Sequence, residues 1–349
     1  MTMNNKQVEK LQAQLHKERR LVSFDNYDIS VKQLIDMRKS GAIHVPPEYQ
    51  RQFVWDAARE SQLIESVFLG IPVPNVFMAT NEDSTWEVVD GVQRLGTLAH
   101  FIGSLELLKQ VEKENPLVIE DLEKLSELNG KCFADLPATL QLLFETRPLR
   151  ATVLNDKSDL NVRFDLFERL NTGGVLLTNQ EIRNCIFRGK LNDQLKRLSK
   201  QANFRKAIRL KPSDESNGTA EELVLRFFAY LECYQQFDHS VKDFLNEYMK
   251  GRASKTLTHQ SVTLFNRTFD LISKTMSSGI IRGNRAVTPI NLFEAVAVGC
   301  ALALKGGKIP NPQKLKSVVN SDGLKKLTTG ATNNKSMVSG RVEFVANGV

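Results

Sequence analysis

Long hydrophobic runs are missing from this sequence. The longest apolar stretch, Ala295 to Leu304, is ten residues, about half of the ~20 that a membrane-spanning helix needs. It reads as a buried helix, and no membrane partner is expected. The stretch from Asn4 to Arg20 is charged and has no apolar core segment, so a secretory leader is not expected either. Cysteine is scarce. Cys132, Cys185, Cys233 and Cys300 are widely separated, form no C-x-x-C pair and have no histidine at zinc spacing. They read as reduced core residues, which makes the expected location cytoplasmic. Histidine is equally thin: His16, His44, His100, His239 and His259 form no cluster in the sequence, and a histidine-framed metal nuclease centre needs more than one in a shared framework.

What is present is ordinary for a soluble globular chain. The 349 residues, 41% hydrophobic and 25% charged, are enough for about two domains at a prior of ~150 residues each. The net charge of +7 is unevenly spread. From Glu181 to Lys211 ten lysines and arginines, among them Arg188, Lys190, Lys196, Arg197 and Lys200, stand against only Glu181 and Asp193. An excess of this kind suits a nucleic-acid backbone or an acidic partner, and equally suits a solvated helix face.

The stretch most like a site runs from Val88 to Leu98. Trp86-Glu87-Val88-Val89 alternates as a half-buried strand does, whereas Leu95, Leu98, Ile102 and Leu105 recur at helical spacing. A strand-to-helix turn between them is a natural anion site, because the first N–H groups of a helix lack internal partners and the helix dipole adds partial positive charge. Gly91 allows close backbone approach, Gln93 and Arg94 add side-chain donors, and Asp90 supplies a carboxylate for a metal ion or a water. The alternative is that Arg94 pairs with Asp90 or another acid and only braces the turn.

Asp90-Gly91-Val92-Gln93-Arg94 resembles the DGQQR motif of the ParB/sulfiredoxin-like domain at the N-terminus of GmrSD-type modification-dependent restriction enzymes. Two further blocks are similar to the same family and come in its order. One is Pro47-Glu48-Tyr49-Gln50-Arg51-Gln52-Phe53-Val54-Trp55; the other is Phe167-Glu168-Arg169-Leu170-Asn171-Thr172-Gly173-Gly174, running into Leu177 to Asn184. The resemblance covers roughly residues 24 to 190. Val92 departs from it, standing where the family usually has a glutamine, so one side-chain donor is lost. Sulfiredoxin-type chemistry is not expected, since residues 86 to 105 contain no thiol.

The resemblance implies nucleotide binding, coupled in the restriction systems to triphosphate hydrolysis and nuclease control. On this chain it implies that Arg51, Gly91, Gln93, Arg94, Arg169 and Asn171 bind a nucleoside triphosphate. Asp90 would be the catalytic residue, holding Mg²⁺ or orienting water, and Trp55 would stack on the base. Each has a plainer role open to it: Arg51 as an ion-pair partner, Trp55 as core, Arg169 as a fastener of its helix, Asn171 as a helix cap. The family's two-part enzymes add an HNH-type domain that this chain lacks, so the nuclease is expected on another polypeptide.

Along the chain, residues 3 to 20 carry a thin stripe of Val8, Leu11 and Leu15 and predict a marginal helical arm. Ser30 caps a helix facing inward with Leu34 and Ile35, and Asp56 caps another that ends at Gly70. Val76 to Ala79 and Trp86 to Val89 form a hairpin that delivers Asp90 to its end. Leu149 to Leu154 is a further strand, and Ser158 opens a helix ending near Arg169. Thr178 with Glu181, and Thr219 with Glu222, read as capping boxes. Beyond residue 191 strand signals fade and a helical bundle is expected, ending in a loop-like tail from Thr328 to Val349. The predicted fold is therefore α+β, a ParB/sulfiredoxin-like small mixed sheet with helices followed by a helical bundle. Its expected boundaries are an arm over 1–23, a nucleotide-binding domain over 24–190 and a helical domain over 191–349.

Three functions fit. The first is a nucleotide-dependent regulatory or specificity component of a prokaryotic restriction or antiviral defence system, itself possessing or lacking NTPase activity and capable of homo-oligomerising. The second is a ParB-like DNA-binding adaptor that uses the basic segment without nucleotide turnover. The third is an interaction scaffold whose turn is a relic, a reading favoured by Val92 alone.

Overall fold

A computed structural model describes residues 3–18, 23–46, 55–81, 83–155, 160–170, 177–330 and 332–349. Contacts divide the chain into two compact units, Met1–Leu176 and Leu177–Val349.

The first unit is built on a five-stranded mixed sheet of order β1-β5-β3-β4-β2. Its strands are β1 (Phe24–Ser30), β2 (Ile43–His44), β3 (Val76–Thr80), β4 (Trp86–Asp90) and β5 (Pro148–Leu154). β3 and β4 are the expected hairpin, antiparallel, with a register shift at Phe77/Met78 that brings Phe77 opposite Asp90. β5 runs parallel to β3 and antiparallel to β1. Strand β1 was not legible in the sequence, because FDNYDIS is polar and only Ile29 is buried. Its pairing is tertiary: seven residues register on β5, and Arg150 bonds the Asp28 carboxylate at 2.8 and 2.9 Å. Tyr27 on β1 and Trp86 on β4 stack with ring centroids 5.3 Å apart.

Helix α1 (Asn5–Glu18) leaves Val8, Leu11 and Leu15 exposed. Helix α2 (Val31–Lys39) is capped by Ser30, whose hydroxyl accepts from Gln33 N, and α3 (Ala57–Leu69) by Asp56 and closed by left-handed Gly70. Helix α4 (Val92–Ile102) follows β4 and is buried along most of its length. It is fastened to α3 by a buried pair, His100 Nδ1 to Glu60 Oε2 at 2.7 Å, while His100 Nε2 faces the Asn115 carbonyl at 3.0 Å. After α5 (Leu105–Gln110), the stretch up to Asp135 contains two short 3-10 turns and buries Leu117, Ile119, Leu122 and Phe133. Phe133 joins Phe68, Phe101 and Phe144, the last on α6 (Ala138–Glu145), in one aromatic cluster. Helix α7 (Leu160–Leu170) packs against β4.

The second unit is all helical: α8 (Asn179–Ile186), α9 (Lys190–Leu198), α10 (Ala202–Ala207), α11 (Thr219–Cys233), α12 (Val241–Lys250), α13 (His259–Thr275), α14 (Ile290–Lys305), α15 (Pro312–Asn320), α16 (Asp322–Thr328) and α17 (Lys335–Gly348). The fold is thus α+β with a helical C-terminal region. Helix α14 contains the ten-residue apolar run and is almost wholly buried.

Three sequence expectations change. The tail is not a loop: α17 buries Val338, Arg341, Val342 and Val345. Glycines and asparagines hid it, but Gly340 and Gly299 mark close packing, and a Cβ on Gly299 would lie 2.6 Å from Val345 Cβ. Thr219 is not an N-cap; Gly218 is, and the Thr219 hydroxyl donates to Asn217 Oδ1 while Glu222 serves two arginines instead. Cys185 and Cys300 are core residues, burial pushing the Cys300 thiol up to about 12, but Cys132 and Cys233 are only half-buried. The contact division at 176/177 lies ahead of residue 190 in the sequence.

Candidate functional site

The corner between β4 and α4 is built from local geometry. Gly91 is the N-cap of α4 at φ +103°, in the left-handed region, and no side chain caps the helix. A Cβ there would stand 3.1 Å from Val76 Cγ1, so glycine is required both by backbone conformation and by the packing of β3 on the turn. Asp90 is half-buried at the end of β4. Arg94, one turn into α4, donates from Nη2 to Asp90 Oδ2 at 2.6 Å and from Nη1 to the carbonyls of Pro74 and Asn75 at 2.6 and 2.9 Å. The pairing alternative weighed for Arg94 is therefore the arrangement present in the structure. The guanidinium ties the turn to the segment entering β3, yet the side chains of Arg94 and Asp90 keep 12% and 27% exposure, enough for both to be reached from solvent.

Gln93 points the other way along the turn, its Oε1 accepting from Trp55 N at 3.2 Å. Trp55 is half-buried and lies beneath the Arg59 guanidinium, 4.7 Å from the ring centroid. Asp90, Gly91, Gln93, Arg94 and Trp55 thus form one contiguous patch. Arg169 is exposed in the last turn of α7, the helix that packs on β4. Arg51, with residues 47–54 of its block, and Asn171, with residues 171–174 of the other, lie outside the described residues. Val92 does not belong to the patch: it is 8% exposed and faces Arg38, Val45 and Gly96 behind the helix.

Among the described residues no group of three or more His, Cys, Asp or Glu side chains is placed to hold a metal ion. Asp90 offers one carboxylate. That donor set suits Mg²⁺ carried on nucleotide phosphates, which commonly uses one or two protein carboxylates and its own waters, and does not suit a resident ion.

The continuation of the third block, Leu177 to Asn184, folds into the second unit and has a structural task there. Thr178 and Glu181 make the expected capping box on α8. Gln180 Nε2 donates to Asn184 Oδ1 at 3.0 Å, and Asn184 Nδ2 to Glu221 at 2.7 Å. Arg183, 1% exposed, reaches Glu222 Oε2 at 3.0 Å and Asn246 Oδ1 at 2.8 Å. From Glu222 an alternating chain of buried charge continues through Arg226 and Glu294 to Arg341. Burial alone would raise the Glu222 carboxyl, but Arg226 and Arg183 beside it hold it below the usual range. The bonds from Arg183 and Asn184 to α11 and α12 explain why the unit begins at Leu177. Of the basic segment, Arg188, Lys190, Arg197 and Lys200 are exposed and Lys196 is half-buried. Arg183 is taken out of any surface patch.

Residues 31–188 match the family model described as GmrSD restriction endonuclease, N-terminal domain. Over that stretch the chain resembles a GmrSD N-terminal domain. No curated protein and no solved structure matches it. The GmrSD-like segment includes the whole β4–α4 corner and ends inside the second unit, just after α8. It suggests a component of a restriction system, and is compatible with a separate nuclease partner. Among the described residues no helix is long and apolar enough to cross a membrane.

Proposed function

We propose that this protein is the nucleotide-binding regulatory or specificity component of a restriction or antiviral defence system whose nuclease is another polypeptide. The observation that carries the reading is the Asp90–Arg94 pair at an N-terminal helix turn that has no side-chain cap, within the GmrSD-like segment. Arg94 exchanges Asp90 for a phosphate oxygen of a nucleoside triphosphate, a charge-assisted bond worth about 1.5–3 kcal/mol. Asp90, released, is the residue that holds the nucleotide's Mg²⁺ or the attacking water. The ion supplies neutralisation of phosphate charge when bound, and such transfer is catalysed chiefly by positioning and charge stabilisation. Backbone N–H groups of Val92 and Gln93 receive phosphate oxygens at the helix start, with Arg51, Arg169 and Asn171 closing the site and Trp55 stacking on the base.

Isothermal titration with each triphosphate and Mg²⁺, followed by a hydrolysis assay, tests this. Because Arg94 also braces Pro74 and Asn75, the decisive variant is Asp90→Asn, which keeps a hydrogen-bond acceptor for Arg94. Asp90→Asn should lose Mg²⁺-dependent affinity while Arg94→Ala loses binding altogether. Unchanged triphosphate affinity in a folded Arg94→Ala protein removes the reading.

A second reading, a DNA-binding adaptor, is favoured by one contact. Leu191 N meets Ala253 O at 3.4 Å, which sets exposed Lys255 beside the Arg188–Lys190 end of the basic helix. Its signature is DNA affinity that falls steeply with salt and is damaged by charge reversal at Arg197 and Lys200.

A further inference from the structure

Arg59 is an exposed cation that the fold lays on an aromatic ring. Asp56 caps α3, its Oδ1 accepting from Arg59 N at 2.8 Å, so Trp55 stands just before the cap and Arg59 lies in the first turn. A cap folds the residue before it back over that turn, as in the staple that joins such a residue to the fourth helical position. In α3 the fourth position is Glu60, which is buried and turned to His100. The side chain that meets Trp55 is Arg59, its guanidinium 4.7 Å from the ring centroid. Among the described residues no carboxylate pairs with it. A contact of the same kind in the second unit differs: Arg252 lies 4.2 Å over the Tyr248 ring, but Tyr248 is 3% exposed and Arg252 is also paired with Glu232 at 3.2 Å. That arginine is anchored, whereas the Arg59 guanidinium rests on its ring alone.

Trp55 is tied to the candidate site through Gln93, whose Oε1 accepts from Trp55 N at 3.2 Å. The half-buried indole therefore stands beside the first turn of α4 with a solvent-reached side chain over it. A cation–π contact at an exposed site is weaker than the stacking of a nucleobase on an aromatic ring, so a base displaces the guanidinium. We infer that Arg59 is an exchangeable cover on Trp55: the base of a bound nucleotide takes its place, and the displaced guanidinium turns to the nucleotide's phosphates. This rests on the nucleotide-binding reading of the β4–α4 corner. A cation in the first turn of α3 gains nothing from its own helix dipole, and a phosphate answers it with charge-assisted hydrogen bonds that the planar guanidinium suits. The exchange makes the two ends of the ligand depend on each other, since a base without phosphates removes the cover and gives Arg59 no new partner.

Isothermal titration with Mg²⁺ tests this, comparing adenosine, guanosine, cytidine and uridine with their triphosphates on the wild type and on Arg59→Ala. Loss of the cover should tighten nucleoside binding by about two- to five-fold, the equivalent of an exposed cation–π contact. The same substitution should weaken triphosphate binding by about five-fold or more, because the lost charge-assisted bond outweighs that gain. In a Trp86→Phe protein Trp55 is the sole tryptophan, and the triphosphate should quench its emission. Nucleoside affinity that fails to rise in Arg59→Ala, or Trp55 emission unchanged at saturation, overturns the exchange. Triphosphate binding that is lost in Arg94→Ala but indifferent to Arg59→Ala also overturns it while leaving the reading of the corner intact; absence of triphosphate binding by the wild type overturns both.

Discussion

At the scale of single residues, the β4–α4 corner shows how one side chain serves structure and chemistry together. Arg94 holds two carbonyls of the segment entering β3 and the carboxylate that ends β4, so the geometry a ligand would meet is set before it arrives. Gly91 is the residue least open to change. Gly91→Ala forces a Cβ against Val76 and a side chain into the left-handed region, a combination that costs about 1–3 kcal/mol. Urea unfolding should show a lowered midpoint with an unchanged slope; an alanine variant as stable as the wild type would mean the turn relaxes freely. The spacing of Asp90 and Arg94 made an i,i+4 pair legible in the sequence, but the two backbone carbonyls that complete it come from Pro74 and Asn75, 20 and 19 positions upstream. The burial of Arg38 was missed although its helical phase with Leu34 and Ile35 was readable, because a basic residue in a last helical turn is normally taken as solvated.

At the scale of elements, the least legible part was α17. Its sequence is rich in small and polar residues with modest helix propensity, and its stability comes from packing on α14, where Gly299 admits Val345 and Val342 closely. Arg341, fully buried, bonds Glu294 and donates to the Thr332 carbonyl at 2.7 Å. Arg341→Ala leaves Glu294 only its pair with Arg226 and leaves the Thr332 carbonyl without its donor, so it should destabilise the second unit by about 1–3 kcal/mol. Chemical denaturation followed by far-UV circular dichroism measures this, and a loss below 1 kcal/mol would show that solvent reaches Glu294. The opposite case is β4, which forms where the sequence placed it, although Glu87, Val88 and Val89 are all buried in place of the half-buried alternation expected.

At the scale of the whole molecule, the sequence match and the structural division do not coincide. The GmrSD-like stretch ends at residue 188, whereas the contact boundary lies at Leu176/Leu177. Helix α8, inside the match, buries Gln180, Ile182, Arg183 and Asn184 against α11 and α12. A fragment ending at residue 188 therefore carries that helix without its partners and should aggregate or expose it to protease. A fragment comprising 177–349 keeps the network and should unfold cooperatively on its own. Gel filtration and limited proteolysis of both fragments decide the point; a stable, protease-resistant 1–188 fragment would show that α8 is not committed to the second unit.

The sequence by itself determined the α+β class, the β3–β4 hairpin, the glycine turn with its Asp90 and Arg94, and the capped starts of α2, α3 and α8, because these depend on periodicity and on contacts within a few residues. Tertiary structure alone decided the edge strand β1, the helical tail, the withdrawal of Arg183 from the basic surface and the direction faced by Val92. Each of those depends on which distant residue supplies the partner for a buried charge or an unpaired backbone group, and local pattern carries no record of that choice.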